Sequence, residues 1–404
     1  MATSSTVDNH LVRDRVTWLH YAQQGALGYF QFGFGPSVLL FREESGVSNT
    51  VAGLYGPAQA VGAVIGGVLF PHLTRRMSLG SVLSIGLTGI AAGVAMFCLA
   101  PSVTGTLVAA AVTMMFGILV LSGVSTGLST HHGTASGAAM SESNAVSAGM
   151  GFVAPLLLNL AVEAGLGWRM AMGAAIVFAG AMAVVTVVVS RGRQVTVATR
   201  ALHGRLPRRY WLAWGCLLAA MSVEMTLLLW VPVQLRTQTG LSAGDAAIGI
   251  SAVLGGMIAG RLVGGRAATR VPLVPLMFTT LAVAGAGFFV FWSATTASVA
   301  IGGLVLCGLG VALHFPLGVA ITMQASDSQY ELAMSRNSYA AALSFGVVPS
   351  LCGALADLVG IKWAFGLVPA CLLTAAVVLA QLARVSPVDS VPAVASRVRA
   401  LEHA

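Results

Sequence analysis

The sequence predicts an all-α membrane protein: twelve transmembrane helices in two pseudo-symmetric six-helix bundles. Three observations carry that reading: the composition, the length of the apolar runs and an internal repeat. Of 404 residues, 57% are hydrophobic and only 8% are charged. Mean hydropathy is +0.87. A water-soluble chain of this size needs far more charge to cover its surface. Hydrocarbon offers a free backbone amide no partner, so spanning segments must be helices or closed barrels. The apolar runs last about 20 residues without period-two alternation, which selects helices.

Twelve runs follow in order: 17–41, 50–70, 78–99, 104–128, 137–164, 169–190, 210–235, 244–265, 272–292, 298–323, 335–357 and 363–383. The first is too long and too polar for a cleaved signal peptide, so it is expected to be retained as a span. Spans 3, 6, 9 and 12 are nearly free of polar groups, whereas spans 1, 4, 5, 7, 10 and 11 carry most of them. Lipid-facing and lumen-facing helices divide in this way. The expected domains are an N-terminal segment 1–16, a bundle 17–190, a basic linker 191–209, a second bundle 210–383 and a tail 384–404.

Net charge is +8, carried by twenty Arg and a single Lys against thirteen acids. With the N-terminus inside, the outer segments hold only Arg42, Arg169, Arg236 and Lys362, and the other seventeen basic residues fall on the inner side. That asymmetry places both termini in the cytoplasm and the chain in the cytoplasmic membrane. It also explains the basic balance without nucleic acid as a partner. The Ala, Gly, Val and Arg bias suggests a bacterial genome. The cysteines at 98, 216, 307, 352 and 371 lie inside apolar runs without metal-ligand spacing and read as buried free thiols. His131-His132 falls in an inner loop without supporting ligands, so no metal is expected. No cofactor is expected either. No glycine-rich phosphate loop with Lys is present, so an ion or substrate gradient must supply the energy.

The halves repeat at an offset of 194. Leu40-Phe41-Arg42 falls on Gln234-Leu235-Arg236, Gly62 and Gly66 on Gly256 and Gly260, and Arg76 on Arg270. Ala139-Met140-Ser141 falls on Ala333-Met334-Ser335, and Pro155 on Pro349. With one residue deleted, Gly167, Arg169 and Ala171 meet Gly360, Lys362 and Ala364. A constant offset across a whole half marks duplication. Gly62 and Gly66, and Gly256, Gly260 and Gly264, have the four-residue spacing that lets helix backbones approach closely.

This 6+6 layout, with its basic central loop, resembles the major facilitator superfamily over nearly the whole chain. Gly67, Arg75 and Arg76 match the family's loop pattern between spans 2 and 3, while Pro71, His72 and Thr74 depart from it. Gly167-Trp168-Arg169 and Gly308-Leu309-Gly310 with Pro316 are similar as well. The resemblance implies a transporter in which spans 1, 4, 7 and 10 line a central cavity. The halves then rock about a midplane site.

Glu224, deep in span 7, is the leading candidate for chemistry. A charged carboxylate there is costly and must be paired, solvated or protonated. His314, near the middle of span 10, is positioned to reach it or to bond a carbonyl freed by Pro316. Gln24 and Gln31 share a face of span 1 and, with Tyr29, Ser122 and Trp230, are expected to contact substrate, although interhelical bonding or anchoring explains each as well. Glu142 and Arg336 occupy equivalent positions in the repeat. With Arg75, Arg76, Arg266 and Arg270 they form the expected gate, Glu142 pairing with an arginine of span 8 or the loop after it.

The functional expectation is a secondary active transporter of a small organic molecule, proton-coupled through Glu224 and leaning to efflux. An uptake permease or uniporter is the alternative, and a transporter-like receptor without flux the alternative of a different class. A membrane enzyme would need a clustered catalytic set that the sequence lacks. Small-molecule substrate, protons and lipid are the expected partners, and a monomer the expected state.

Overall fold

The computed structural model describes residues 12–132, 136–190, 204–267, 271–327 and 329–385. Most of the linker, the tail from 386 onward and Arg270 lie outside them. The described residues form fifteen helices in twelve successive segments. The N-terminal half holds α1 (Arg15–Ser45), α2 (Asn49–Gly53), α3 (Tyr55–Thr74), α4 (Leu79–Leu99), α5 (Val103–His132), α6 (Ser136–Glu163) and α7 (Trp168–Ser190). The C-terminal half holds α8 (Arg208–Thr239), α9 (Ala243–Ala267), α10 (Leu273–Ser293), α11 (Ala297–Val311), α12 (His314–Gln324), α13 (Tyr330–Val359), α14 (Ile361–Ala364) and α15 (Leu367–Val385).

Each expected span meets one segment. Eleven segments among the described residues are long and apolar enough to cross a membrane. The exception is the first, α1, whose hydropathy is lowered by His20, Gln23, Gln24 and Gln31. Its middle is nonetheless buried, with Tyr21, Gln23, Phe30 and Phe34 almost inaccessible. The protein is a multi-pass membrane protein.

Helix ends follow local chemistry. Ser78 caps α4 by accepting the Ser81 amide, and Ser242 caps α9 by accepting the Asp245 amide at 3.0 Å. Gly240 ends α8 in the left-handed conformation at φ 71°. Span 10 is not one rod, because Ala312 and Leu313 interrupt it between α11 and α12. Pro316 lacks an amide and clashes with the carbonyl four residues back, at Ala312. A second departure concerns His131 and His132. They are not in a loop, because α5 continues through both.

The chain divides into two compact units. One takes the described residues of Met1–Ser37 and Ala58–Thr199, and the other those of Val38–Pro57 and Arg200–Ala404. Residues 38–57 thus group with the C-terminal helices rather than with the rest of the N-terminal half. In the first unit α4 packs on α5 and α7. In the second, α8 is buried along most of its length and packs on α9, α12, α13 and α15. The Tyr210 hydroxyl of α8 lies 2.9 Å from both the Ala333 carbonyl and Asn337 Oδ1. Asn337 in turn donates to Thr322 on α12 at 2.7 Å.

The repeat reappears as geometry inside each unit. A Cβ on Gly62 would collide with the Ala111 carbonyl, and one on Gly66 with the Met115 carbonyl. In the other unit a Cβ on Gly256 would collide with the Val305 carbonyl, and one on Gly260 with the Leu309 carbonyl. Both members of each contact shift by the same 194 residues. Two helices therefore meet backbone to backbone in the same way twice, as small-residue packing in membranes requires. Cys98, Cys216, Cys307 and Cys352 are buried free thiols, and Cys371 is half-buried.

Candidate functional site

Glu224 sits at the middle of α8, among buried neighbours from Ala219 to Leu228. It retains only 8% exposure. Among the described residues no hydrogen bond or ion pair reaches its carboxyl, and Arg261 of α9 acts on it only through its field. The helix that holds it is itself fixed on several sides, so the acid has a defined position without a defined partner.

His314 opens α12 just past the helix break and is completely buried. Its ring nitrogens face the carbonyls of Ala220 on α8 and Thr280 on α10. Neither contact has hydrogen-bond geometry, and among the described residues both nitrogens are without a partner. Ala220 lies one helical turn before Glu224, so the two candidates approach the same stretch of α8. The side chains are not joined by a hydrogen bond among the described residues.

The polar residues of α1 and α5 divide. Gln24 is buried with its side-chain oxygen unpartnered among the described residues, whereas Gln31 and Ser122 are half-buried. Tyr29 instead ties α1 to α7 by donating to the Ala171 carbonyl at 2.8 Å. Trp230 is likewise held by a backbone partner. It is 1% exposed and donates to the Pro349 carbonyl of α13 at 2.8 Å. Residues of the right type on the right helix can thus serve packing, and only the partner distinguishes the two.

The gate candidates also find particular places. Glu142 receives Arg13 through two contacts, at 2.9 and 2.5 Å, and the Tyr21 hydroxyl at 3.0 Å. These partners lie in its own unit. Of the arginines expected to meet it, Arg261 acts on Glu224 instead, while Arg270 and the side chain of Arg266 lie outside the described residues. Arg75 and Arg76 are exposed beyond the end of α3. Arg336 lies over the Tyr339 ring at 5.5 Å. Arg169, from the Gly-Trp-Arg stretch, donates to the Cys98 carbonyl at 2.9 Å and stacks over Trp168 at 4.5 Å, joining the start of α7 to the end of α4.

Sequence reasoning missed a polar cluster in the second unit. Arg236 pairs with Glu43, and Arg42 donates to the Asn49 side chain. Asp357 of α13 accepts the Asn49 and Thr50 amides at the start of α2.

Residues 212–401 match the family model of the Major Facilitator Superfamily. The whole chain resembles solved transporters in fold. One is a bacterial homologue of the human lysosomal transporter Spinster in an inward-facing, unoccupied conformation, 14% identical, with a TM-score of 0.70 and 94% of each chain covered. Another is a peptide transporter of the POT type in complex with sulfate, 13% identical, with a TM-score of 0.76 and coverage of 93% of this chain and 95% of that one. No curated protein sequence matches the chain. The class these findings define is a multi-pass membrane protein with a transporter-like fold. By sequence, residues 212–401 are similar to the Major Facilitator Superfamily, and the chain as a whole shares the fold of these solved transporters.

Proposed function

We propose that the chain is a proton-coupled secondary transporter that moves a small organic molecule by alternating access, with Glu224 as the coupling acid. The observation that carries this reading is the carboxyl itself, buried in the middle of α8 and unpartnered among the described residues. A charge in that position is expensive, so its protonation state follows its access to water. An acid whose exposure changes during a transport cycle then takes a proton on one side and releases it on the other. His314 faces the adjacent turn of α8 and is the second titratable group of this region. Gln24, whose side-chain oxygen is unpartnered among the described residues, is a substrate contact in this reading, with Gln31 and Ser122. Tyr29 and Trp230 hold the helices that carry the site.

One deep acid without a deep Lys or Arg suits a neutral, cationic or amphipathic substrate better than a multiply charged anion. Such compounds fit export. The positive-inside count supports a bacterial cytoplasmic membrane with both termini in the cytoplasm, and the transporter works as a monomer. Arg75, Arg76 and Arg336, with Arg266 and Arg270, belong to the inner gate. Glu142 holds Arg13 against the same end of its bundle.

The test uses reconstituted protein and a panel of lipophilic organic cations. Wild-type protein dissipates an imposed pH gradient when a transported cation is added. Glu224→Gln abolishes that proton movement while retaining exchange of labelled substrate for unlabelled. Intact proton movement in Glu224→Gln removes Glu224 from the mechanism.

A further inference from the structure

We infer that the N-terminal unit contains a second ligand site, a cavity for an uncharged molecule with a compact apolar body and one hydrogen-bond donor. It lies where α1 and α4 begin and α5 and α7 end. Its volume is about 290 Å³, at the small end of the range for ligand pockets, roughly 300–1,000 Å³. Leu19, Leu79, Leu83 and Val189 supply apolar walls. The site is contained within one unit, and the coupling acid proposed above belongs to the other.

The hydrogen bonds fix what the cavity asks of a ligand. Thr186 donates its hydroxyl to the Met182 carbonyl at 2.6 Å. Its oxygen is therefore left to accept the Gln23 amide group at 2.7 Å. That sets the orientation of Gln23, whose carbonyl oxygen faces His20 Nδ1 at 2.9 Å. The Nδ1 atom then carries the proton, and Nε2 presents a lone pair. Nε2 faces Gly127, where a Cβ would stand only 2.5 Å away. The missing side chain keeps the acceptor open. Among the described residues only His20 and His131 are ionisable on the cavity wall, and His131 is already bound to Asp14 at 2.8 Å. A charged ligand would lose its hydration for no opposite charge.

The duplicated half supplies an internal comparison. At the same offset His20, Gln23 and Gly127 become Trp214, Leu217 and Ile321, and in the last helix, with the one-residue deletion, Thr186 becomes Leu379. Leu217, Ile321 and Leu379 are fully buried, and Trp214 packs against the cluster of Leu217, Met221 and Ala340. The fold therefore closes this place with apolar side chains in one copy. In the other it carries an oriented polar chain that ends on an open acceptor.

Indole and 1-methylindole probe the site, since they differ in the single N–H donor. Full-length protein in lipid nanodiscs is treated with diethyl pyrocarbonate, which attacks the unprotonated imidazole nitrogen, and His20 modification is read by peptide mass spectrometry. Indole should protect His20 saturably, at a concentration about tenfold lower than 1-methylindole, the ratio for one unmade hydrogen bond. Gly127→Ala should shield His20 without any probe. His20→Phe, read by saturation-transfer NMR, should bind both probes alike. Equal protection by the two probes, no saturable protection, or a His20 unreactive in the free protein overturns the assignment.

Discussion

The Asp357 carboxylate caps α2 from a distant helix, accepting the Thr50 amide at 2.6 Å and the Asn49 amide at 2.9 Å. The Thr50 hydroxyl donates to the same carboxylate. The first amides of any helix lack intrahelical partners, and a negative charge there is doubly favoured. Close backbone contact supports the junction. A Cβ on Gly353 would stand 2.6 Å from the Asn49 carbonyl, and one on Gly56 would collide with the Phe345 carbonyl. Asp357→Ala should cost about 1 kcal/mol, the usual worth of a helix cap. Thermal unfolding in nanodiscs measures it, and a double-mutant cycle with Thr50→Val should be non-additive.

Arg236 and Glu43 form an ion pair in the same region. Exposed pairs contribute roughly 0–1 kcal/mol, so loss of either side chain alone should be small. Reversal is more informative because it adds repulsion. Glu43→Arg should lower the unfolding temperature, and adding Arg236→Glu should restore most of it. Failure of the double reversal to recover would show that the pair is incidental to this packing.

The glycine seams make a position-specific prediction. Gly62→Ala and Gly256→Ala each place a methyl group into a carbonyl of the neighbouring helix. Overpacking of this kind costs about 1–3 kcal/mol. Gly67→Ala and Gly302→Ala meet nothing within 4 Å and should be neutral. Yield of monodisperse protein, followed by thermal unfolding, separates the two classes.

Asp14 predicts a pH dependence. Partial burial raises the carboxyl, but hydrogen bonds from Thr17 and His131 outweigh it and hold the group at about 2, below its ordinary 3.8. Because the folded value is depressed, its stabilisation is present above about 4 and is lost as pH falls toward about 2. The difference in unfolding temperature between wild type and Asp14→Asn should close across that acid window. Asp14 is partly exposed, so salt should shrink the difference.

Much of the architecture was legible because membrane spans announce themselves by length and apolarity. Even the glycine seams could be read, since a four-residue spacing repeated at a fixed offset points directly to close helix packing. Glu224 was legible because an acid in an apolar run is rare. Partners were not legible. Arg13 and Glu142 are 129 residues apart, and nothing local to either names the other. Asp357 closes a run that reads as an ordinary span end. Trp230 suits a ligand stack, an interface or a core equally well until its carbonyl acceptor is seen. The break at Ala312 and Leu313 had a local signal in Pro316, but a proline within a membrane helix predicts a kink as readily as an interruption.

The recurrence of one glycine–carbonyl joint has an evolutionary consequence. Gly62 against Ala111 and Gly256 against Val305 are homologous positions that have kept the same mate through divergence of their surroundings. Drift at one partner is therefore limited by the other, and the seam travels as a module. A hybrid that carries α3 and α5 together should inherit a working joint, whereas one that splits them must rely on chance complementarity.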